Sequence, residues 1–250
     1  MQEKSYLLEI LDTGKAHAQE NMRIDAELLG SLKDQPILHF YRWEGPSLTF
    51  GYFIRPEEWL DLQVVNSYHL QLAKRPTGGG SLFHIWDLAF SFLLPSSHPC
   101  FSLNTLENYR FVNQVVADAC GEIFPSFTID LAPQDFSKDP TVTRFCMANP
   151  SRYDVIDQGK KIAGSSQRKT NRGYLHQGSI SLTVPDFSWM EPLFLPSVRE
   201  TVVARMKNFT FAPLQNPSSS LLEEARKQLE GSLFRHLEKH LSEGCEERYN

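Results

Sequence analysis

Three stretches of the chain carry apolar residues at the spacing of an amphipathic helix. The first spans residues 20–29, and Gly30 after it predicts the end of that helix. The second spans residues 103–123, where apolar side chains recur every three or four positions. The third spans residues 218–241, keeps leucines at a four-residue spacing and begins with serines that favour an N-cap. We therefore predict helices over these three ranges.

Shorter runs rich in β-branched and aromatic residues lie between the predicted helices. They cover residues 37–43, 47–53, 70–75 and 87–95, and a hairpin region follows at residues 143–184. The first two runs are joined by the turn-like segment Glu44-Gly45-Pro46, which predicts that they pair as a hairpin. This order of elements predicts an α+β fold in which helices flank a largely antiparallel or mixed central sheet.

Composition and charge narrow the class of protein. With 250 residues, of which 41% are hydrophobic and 12% aromatic, the chain can bury the core of one large domain. Its net charge of −5 argues against nucleic acid as the main partner, because binding to phosphates needs a basic surface. No run approaches the roughly 18 apolar residues of a membrane span, and the N-terminus lacks the pattern of a secretion signal. We expect a cytoplasmic protein that binds neither nucleic acid nor membranes.

The four cysteines stand far apart, at Cys100, Cys120, Cys146 and Cys245. None forms a Cys-x-x-Cys pair, so we expect reduced thiols and no metal site. Cys120 falls on the apolar face of the second predicted helix, where a buried and inert thiol is expected. His236 and His240 stand four residues apart on the last helix without a third ligand in view, which favours a surface pair over a metal site.

The stretch from Cys146 to Ile180 concentrates reactive side chains. It contains that cysteine, the adjacent Lys160 and Lys161, a Gly-Ser-Ser turn and His176. A thiol can be a nucleophile, a lysine can hold a carbonyl or a phosphate, and a glycine-rich turn lets backbone amides approach an anion. The alternative interpretation is a β-hairpin with a polar, solvated tip.

A second motif surrounds three consecutive glycines at residues 78–80. Consecutive glycines are costly to order, so they indicate a close approach of a ligand or a positive φ angle. Arg75 precedes the glycines and His84 follows them, an arrangement suited to a phosphate or a carboxylate. The motif lacks the Gly-Lys-Ser/Thr ending of a P-loop. A flexible hairpin turn is the alternative.

These motifs resemble those of the superfamily of lipoate–protein ligases, octanoyltransferases and biotin–protein ligases. The glycine motif is matched by Arg75, Thr77, Gly78, Gly79, Gly80, Leu82 and His84. The lysine motif is matched by Gly159, Lys160, Lys161, Ile162, Gly164, Ser165 and Ser166. A third element is similar to residues 176–180, and the resemblance runs in order from about residue 20 to about residue 185.

The resemblance implies a biotin/lipoate ligase-like acyltransferase catalytic domain over residues 1–195, with residues 196–250 as a C-terminal helical extension. Two branches of the superfamily differ in chemistry. Cysteine-type octanoyltransferases take an octanoyl group from acyl-carrier protein onto a cysteine and pass it to a lysine of a lipoyl domain. ATP-dependent lipoate–protein ligases form a lipoyl-adenylate first. The segment from Cys146 to Val155 resembles the cysteine segment of the transferases, and this is the branch that we expect.

The resemblance also implies roles for individual residues. Lys161 and Cys146 are the expected catalytic residues. The expected substrate-binding residues are Arg75, Thr77, Gly78, Gly79, Gly80, Ser81, Leu82, Phe83, His84, Gly164, Ser165, His176 and Gly178. Phe83 and Phe90 are candidates for the wall of a tunnel that takes an eight-carbon chain. His176 and Gln177 stand in the reverse of the transferase order, which leaves open which of them faces the acyl group.

The expected cofactors and partners depend on which branch of the superfamily the chain resembles. The transferase needs no cofactor, whereas the ligase uses ATP and Mg with lipoate. The expected partners are acyl-carrier protein and the lipoyl domains of 2-oxoacid dehydrogenase complexes or the glycine-cleavage H protein. A non-catalytic acyl- or protein-binding module with the same fold is a further alternative. A biotin ligase is disfavoured, because the segment around Cys146 has no role there.

Overall fold

A computed structural model describes residues 7–136, 145–184 and 186–243. Its strands are β1 (Glu9–Ala16), β2 (Ile37–Trp43), β3 (Ser47–Phe50), β4 (Gln71–Lys74), β5 (Ser81–His84), β6 (Asp87–Pro95), β7 (Ile129–Leu131), β8 (Val155–Asp157), β9 (Lys160–Lys169) and β10 (Gly173–Ser181). Its helices are α1 (Ala18–Ser31), α2 (Leu62–Ser67), α3 (Thr105–Ile123), α4 (Phe187–Met190), α5 (Pro196–Phe209) and α6 (Ser219–Glu243). Single 3₁₀ turns cover Pro56–Glu58, Cys146–Ala148 and Glu191–Leu193.

Two sheets organise the molecule. The larger is a seven-stranded mixed sheet in the order β1-β2-β6-β10-β9-β8-β7, in which only β1 and β2 are parallel. The smaller has the order β4-β3-β5. A mixed sheet flanked by helices confirms the predicted α+β class. None of the described helices is long and apolar enough to cross a membrane.

The two faces of the large sheet are covered differently. Helices α3 and α6 pack on one face, where Phe90 and Val116 belong to the main core. Helix α1 and the small sheet cover the other face, where Met22, Tyr41 and Ala73 pack together. Because strand residues alternate between faces, the central strands of the large sheet send every second side chain toward the layer formed by α1 and the small sheet. The space between the two sheets is therefore where a ligand would be held.

The predicted hairpin between residues 37–43 and 47–53 is wrong. β2 pairs with β1 and β6 in the large sheet, whereas β3 pairs with β4 and β5 in the small one. Side chains on both faces of each strand are buried, with Leu38 and Leu48 in different cores. Each strand thus has its own layer to fill, and the turn at Gly45-Pro46 leads the chain from one sheet to the other.

Three predicted helices and one predicted strand agree closely with the structure. The three predicted helices correspond to α1, α3 and α6, and residues 87–95 form β6. Cys120 is fully buried, as expected, and burial raises the pKa of its thiol to about 12. Cys245 lies outside the described residues. The predicted domain boundary at residue 195 stays a prediction. Beyond it, α6 packs in the main core, whereas α5 packs in a second core that also contains Leu48, Trp59 and Phe194.

His236 and His240 face helix α3 rather than a metal. Their rings lie 2.8 Å and 2.7 Å from the carboxylates of Glu122 and Asp118. The two histidines are one helical turn apart on α6, and the two acidic residues are one turn apart on α3. The two contacts together fix the register of this helix pair. Among the described residues, no group of three histidine, cysteine or acidic side chains is arranged to hold a metal ion.

We predict that Gly178→Ala destabilises the fold. A Cβ atom at this position of β10 would overlap the ring of Phe90 in the main core. Overpacking of this kind costs about 1–3 kcal/mol. The matched control is Gly121→Ala on helix α3, where a Cβ atom meets nothing within 4 Å and alanine is the better helix former. Urea denaturation should give opposite shifts for the two variants, and equal shifts would contradict the packing argument.

Candidate active site

The cysteine of the site is placed by a contact between two distant segments. Cys146 begins a 3₁₀ turn directly after Phe145, which forms a parallel β-bridge with Ser81 of β5. The rings of Trp59 and Phe194 hold Phe145 in the second core. The aromatic residue before the cysteine is therefore the anchor that brings the thiol beside the glycine motif. Cys146 itself is partly exposed.

A β-bulge turns Lys161 toward this thiol. In the pairing of β8 with β9, Val155 faces Ala163 and Ile156 faces Lys161, so Ile162 is an extra residue. In a regular strand Lys161 and Gly164 would point to opposite faces, because side chains alternate. The bulge puts both on the cavity face, and a Cβ atom at Gly164 would overlap the Lys161 side chain. Glycine at 164 thus makes room for the lysine to bend back over its own strand.

The lysine, the cysteine and one aspartate form the centre of the site. Lys161 Nζ lies 3.2 Å from Cys146 Sγ, 3.2 Å from the Cys146 carbonyl oxygen and 2.7 Å from Asp154 Oδ2. Only 2% of Lys161 is exposed, and Asp154 is fully buried. A buried ammonium is tolerated only when it is paired and hydrogen-bonded, and these contacts meet that condition.

The charge of Lys161 follows from two opposing effects. Burial by itself lowers the pKa of the ammonium, but the Asp154 carboxylate and then the Cys146 sulfur outweigh it. The pKa of Lys161 therefore lies above its ordinary value. The side chain is an ammonium at neutral pH, so it can stabilise developing negative charge and does not act as a base.

Helix α3 contributes a residue that the sequence did not reveal. The Tyr109 hydroxyl donates to Asp154 Oδ1 at 2.6 Å, and the Ser151 amide donates to Oδ2 at 2.6 Å. Burial, followed by the Asp154 carboxylate, raises the pKa of Tyr109 well above its usual range, so the hydroxyl stays a donor. Tyr109 shares its face of the helix with core residues, and no motif distinguishes it from them.

Arg75 braces the glycine loop instead of pointing freely into the cavity. Its guanidinium donates to Thr49 Oγ1 at 2.8 Å and to the carbonyl oxygens of Gly78 and Gly80 at 3.1 Å and 2.5 Å. Gly79, between them, has φ +83 and is exposed. The positive φ at Gly79 explains the need for glycine at this one position. Burial lowers the pKa of Arg75 from its ordinary value.

Thr77 ties the same loop to the large sheet. Its hydroxyl donates to Gln177 Oε1 at 2.6 Å and accepts from Ser166 at 2.7 Å. The Gln177 amide in turn donates to Asp25 of helix α1 at 2.6 Å. The loop is therefore pinned from both sides before any ligand arrives.

A cavity lies between the two sheets beside Cys146. It is lined by eight of the predicted residues: Arg75, Gly79, Leu82, His84, Cys146, Gly164, Ser165 and Gly178. Sequence reasoning missed its apolar wall, formed by Met22, Tyr41 and Trp43. The Trp43 ring stacks on His84 with centroids 4.2 Å apart. An apolar cavity with a few polar groups at one end is typical of a small-ligand site.

The remaining predicted residues do not line this cavity. Four of them hold the glycine loop or the segment before the thiol: Thr77, Gly78, Gly80 and Ser81. Lys161 contacts Cys146, which lines the cavity, but does not line the cavity itself. Phe83 packs in the second core and Phe90 in the main core, so neither forms the expected tunnel wall. The cause is strand alternation: Leu82 faces the cavity, and its neighbour Phe83 faces away.

His176 lies on the opposite face of β10 from the cavity. Its ring is 5.8 Å from that of Tyr109 and 6.3 Å from that of Phe90. Burial lowers the pKa of His176 to about 3, so the ring is neutral. Gln177, one residue on, faces the cavity instead. The structure thus places the amide, and not the imidazole, on the ligand side.

The two-sheet fold and the buried lysine beside a thiol and an apolar cavity define an enzyme of acyl-group transfer. Residues 17–226 match the family described as lipoyl protein ligase A/B catalytic domain. The chain belongs to this family.

Curated relatives agree with the assignment. The octanoyltransferase LipM of Bacillus cereus is 33% identical over 205 residues, covering 79% of this chain and 73% of the relative. LipM of Bacillus subtilis is 28% identical over 231 residues, covering 87% and 81%. The chain is therefore an enzyme of protein lipoylation, of the octanoyltransferase and lipoate-ligase type.

The solved structures share the fold. Protein Ta0514 of T. acidophilum with bound lipoic acid has a TM-score of 0.68 at 21% identity, covering 94% of this chain and 85% of that one. Lipoate-protein ligase A bound with ATP has a TM-score of 0.64 at 20% identity, covering 94% of both chains. A bi-partite lipoate protein ligase from Thermoplasma acidophilum, studied with its E2 lipoyl domain, has a TM-score of 0.63 at 18% identity, covering 96% and 93%.

We predict that Asp154→Asn is strongly destabilising because it leaves the Lys161 ammonium buried without a counter-charge. Breaking a buried pair in this way costs about 3–5 kcal/mol. The double variant Asp154→Asn with Lys161→Met should recover most of that loss, since the unpaired charge is gone. Urea denaturation at pH 7 measures both. Additive losses in the double variant would show that the two side chains do not interact.

A second prediction concerns His176 and acid stability. Its folded-state pKa, about 3, lies below the ordinary value of 6.5, so between these values the unfolded chain binds a proton that the folded chain does not. Stability is therefore lost as pH falls below 6.5, by up to about 1.4 kcal/mol per pH unit. His176→Gln should flatten this loss in urea denaturation between pH 7 and 4.5. An unchanged slope of stability against pH would contradict the lowered pKa of His176.

Proposed function

We propose that the protein transfers an octanoyl group from acyl-carrier protein to a lysine of a lipoyl domain through a thioester on Cys146. The observation that carries this proposal is the distance of 3.2 Å between Cys146 Sγ and Lys161 Nζ, next to the apolar cavity. A thiol beside a buried ammonium is suited to nucleophilic attack on a carbonyl group, because the ammonium can stabilise the negative charge that develops on the acyl oxygen.

In the first step the Cys146 sulfur attacks the carbonyl carbon of the octanoyl thioester. A new carbon–sulfur bond forms, the bond to the carrier sulfur breaks, and the thiol proton leaves on the carrier thiol. Negative charge grows on the acyl oxygen during the attack. The Lys161 ammonium stabilises that charge and, held by Asp154, needs no rearrangement to do so.

In the second step the neutral amine of the acceptor lysine attacks the same carbonyl carbon. The amide bond forms, the bond to Cys146 breaks, and the amine proton returns to the thiol. Lys161 stabilises the acyl oxygen a second time. The lysine thus serves both steps, whereas the cysteine is consumed in one and restored in the other.

The cavity provides for the acyl chain. Burial of apolar surface contributes about 0.8 kcal/mol per methylene, so a seated octanoyl chain supplies most of the binding energy. Leu82, Met22 and Trp43 are the apolar contacts available to it. Arg75 and Gly79 of the glycine motif line the same cavity. We assign Gln177 the place on the ligand side that His176 was expected to take.

An ATP-dependent lipoate ligase is the second candidate. The ATP-bound ligase with a similar fold favours it, and in that reaction Lys161 and Arg75 would hold the carboxylate and the phosphate of the adenylate, with Mg. The transferase needs neither ATP nor a metal. The position of Cys146 against Lys161 favours the transferase, since the thiol has no role in the ligase reaction.

The decisive measurement is the mass of the intact enzyme after incubation with octanoyl-carrier protein. We expect one added octanoyl group in the wild type and none in Cys146→Ala, because the thioester forms on that sulfur. The matched control is Cys120→Ala, a buried thiol on helix α3, which should gain the group normally. Lys161→Ala should acylate about 100- to 1,000-fold more slowly, the range found for loss of an oxyanion donor.

Full transfer to a lipoyl domain by Cys146→Ala would refute the thioester mechanism. Lipoate-dependent exchange of pyrophosphate into ATP, lost in Lys161→Ala, would establish the ligase instead. Failure of both assays would favour a binding module.

A further inference from the structure

The most exposed large apolar side chain of the described residues lies at the mouth of the cavity. Phe53 is 87% exposed and Tyr52 is 55% exposed, and their rings meet edge to face at 5.2 Å. The chemistry proposed above does not use this aromatic pair. Exposed aromatic clusters on a soluble surface mark interaction sites.

The backbone under this pair is fixed to the glycine loop. A Cβ atom at Gly51 would overlap the carbonyl of Gly79, so the two glycines are in direct backbone contact. The Tyr52 amide donates to the Thr77 carbonyl at 3.0 Å, and the Ile54 amide donates to the Gly51 carbonyl at 3.0 Å. Gly79 lines the cavity. The two exposed rings are therefore held at its rim.

Two cations lie near the segments that carry and support the rings, although the whole chain is acidic. Lys74 Nζ lies 5.2 Å from the centre of the Tyr52 ring. Arg168, on β9 two residues beyond Ser166, donates to the Pro76 carbonyl at 3.4 Å. Both cations are exposed. We call Tyr52, Phe53, Lys74 and Arg168 the mouth patch. It joins aromatic surface to positive charge in a protein whose net charge is −5.

We propose that the mouth patch docks the acceptor domain, through an acidic surface beside the acceptor lysine. The proposal rests on the proposed transfer to a protein lysine. A lysine side chain has only a four-carbon stem, so the acceptor must sit on the rim itself to reach the acyl carbonyl. Opposite charge at such a rim speeds association and sets orientation, and an exposed aromatic ring is a favoured anchor in an interface.

The test separates the two half-reactions of the full-length enzyme. In the first, Cys146 is acylated by octanoyl-carrier protein; in the second, the purified octanoyl-enzyme is mixed with a subsaturating apo lipoyl domain. Intact masses report both rates. Phe53→Ser and Lys74→Glu should each slow the second half-reaction by about tenfold, the effect of losing an interface anchor. Acylation of Cys146 should stay within about twofold of wild type, well inside a tenfold effect.

Salt and a distant charge provide the controls. Raising the ionic strength should slow transfer by the wild type and have less effect on Lys74→Glu, because the charge attraction is screened. Lys239→Glu makes the same charge change on α6, across the large sheet, and should transfer at the wild-type rate.

Three outcomes would overturn the proposal: transfer at the wild-type rate in both patch variants, equal loss in both half-reactions, or loss of acylation alone. The last would assign the patch to the carrier. A wild-type enzyme that is never acylated would refute the thioester mechanism, not the docking surface. In that case the docking proposal is tested by measuring the affinity of the apo lipoyl domain for the wild type and for Phe53→Ser. Equal affinities would overturn the proposal.

Discussion

The buried ion pair between Lys161 and Asp154 is the interaction on which the site depends. Two charges without access to water are stable together only when each is hydrogen-bonded. Every neighbour of the pair can be understood from this requirement. Tyr109 and the Ser151 amide satisfy the remaining acceptor positions of the carboxylate, and the Cys146 carbonyl accepts from the ammonium. The Cys146 thiol, also in contact with Lys161, is partly exposed and lines the cavity.

Backbone irregularities, and not side chains alone, bring these groups together. The extra residue in β9 reverses the direction of Lys161, and the missing side chain at Gly164 gives it room. The bridge between Ser81 and Phe145 brings the cysteine turn to the other sheet. This bridge joins segments that are far apart in sequence, so the thiol reaches the site only when both sheets are in place. The ion pair and the packing of the two sheets therefore stabilise one another.

The sequence predicted what is local or repeated along the chain. The spacing of apolar residues located α1, α3, α6 and β6, and the motifs indicated Lys161, Cys146 and the glycine loop. It did not predict β1, whose polar residues occupy the edge of the large sheet, or the separation of β2 from β3. Both depend on which distant layer a strand has to cover. The positions of His176 and Gln177 depend likewise on the register of β10, since one step along a strand exchanges the two faces.

The arrangement also explains why one lysine can serve two chemistries. A buried ammonium stabilises any reaction in which negative charge develops on an acyl oxygen, whatever the leaving group. The choice of reaction then depends on the groups around it. The two terminal nitrogens of the Arg75 guanidinium donate to Thr49 and the loop carbonyls, whereas its buried Nε has no hydrogen-bond partner among the described residues. The Cys146 sulfur, in contrast, lies in contact with the ammonium and lines the cavity. In the proposed reaction this ammonium therefore stabilises the acyl oxygen of a thioester.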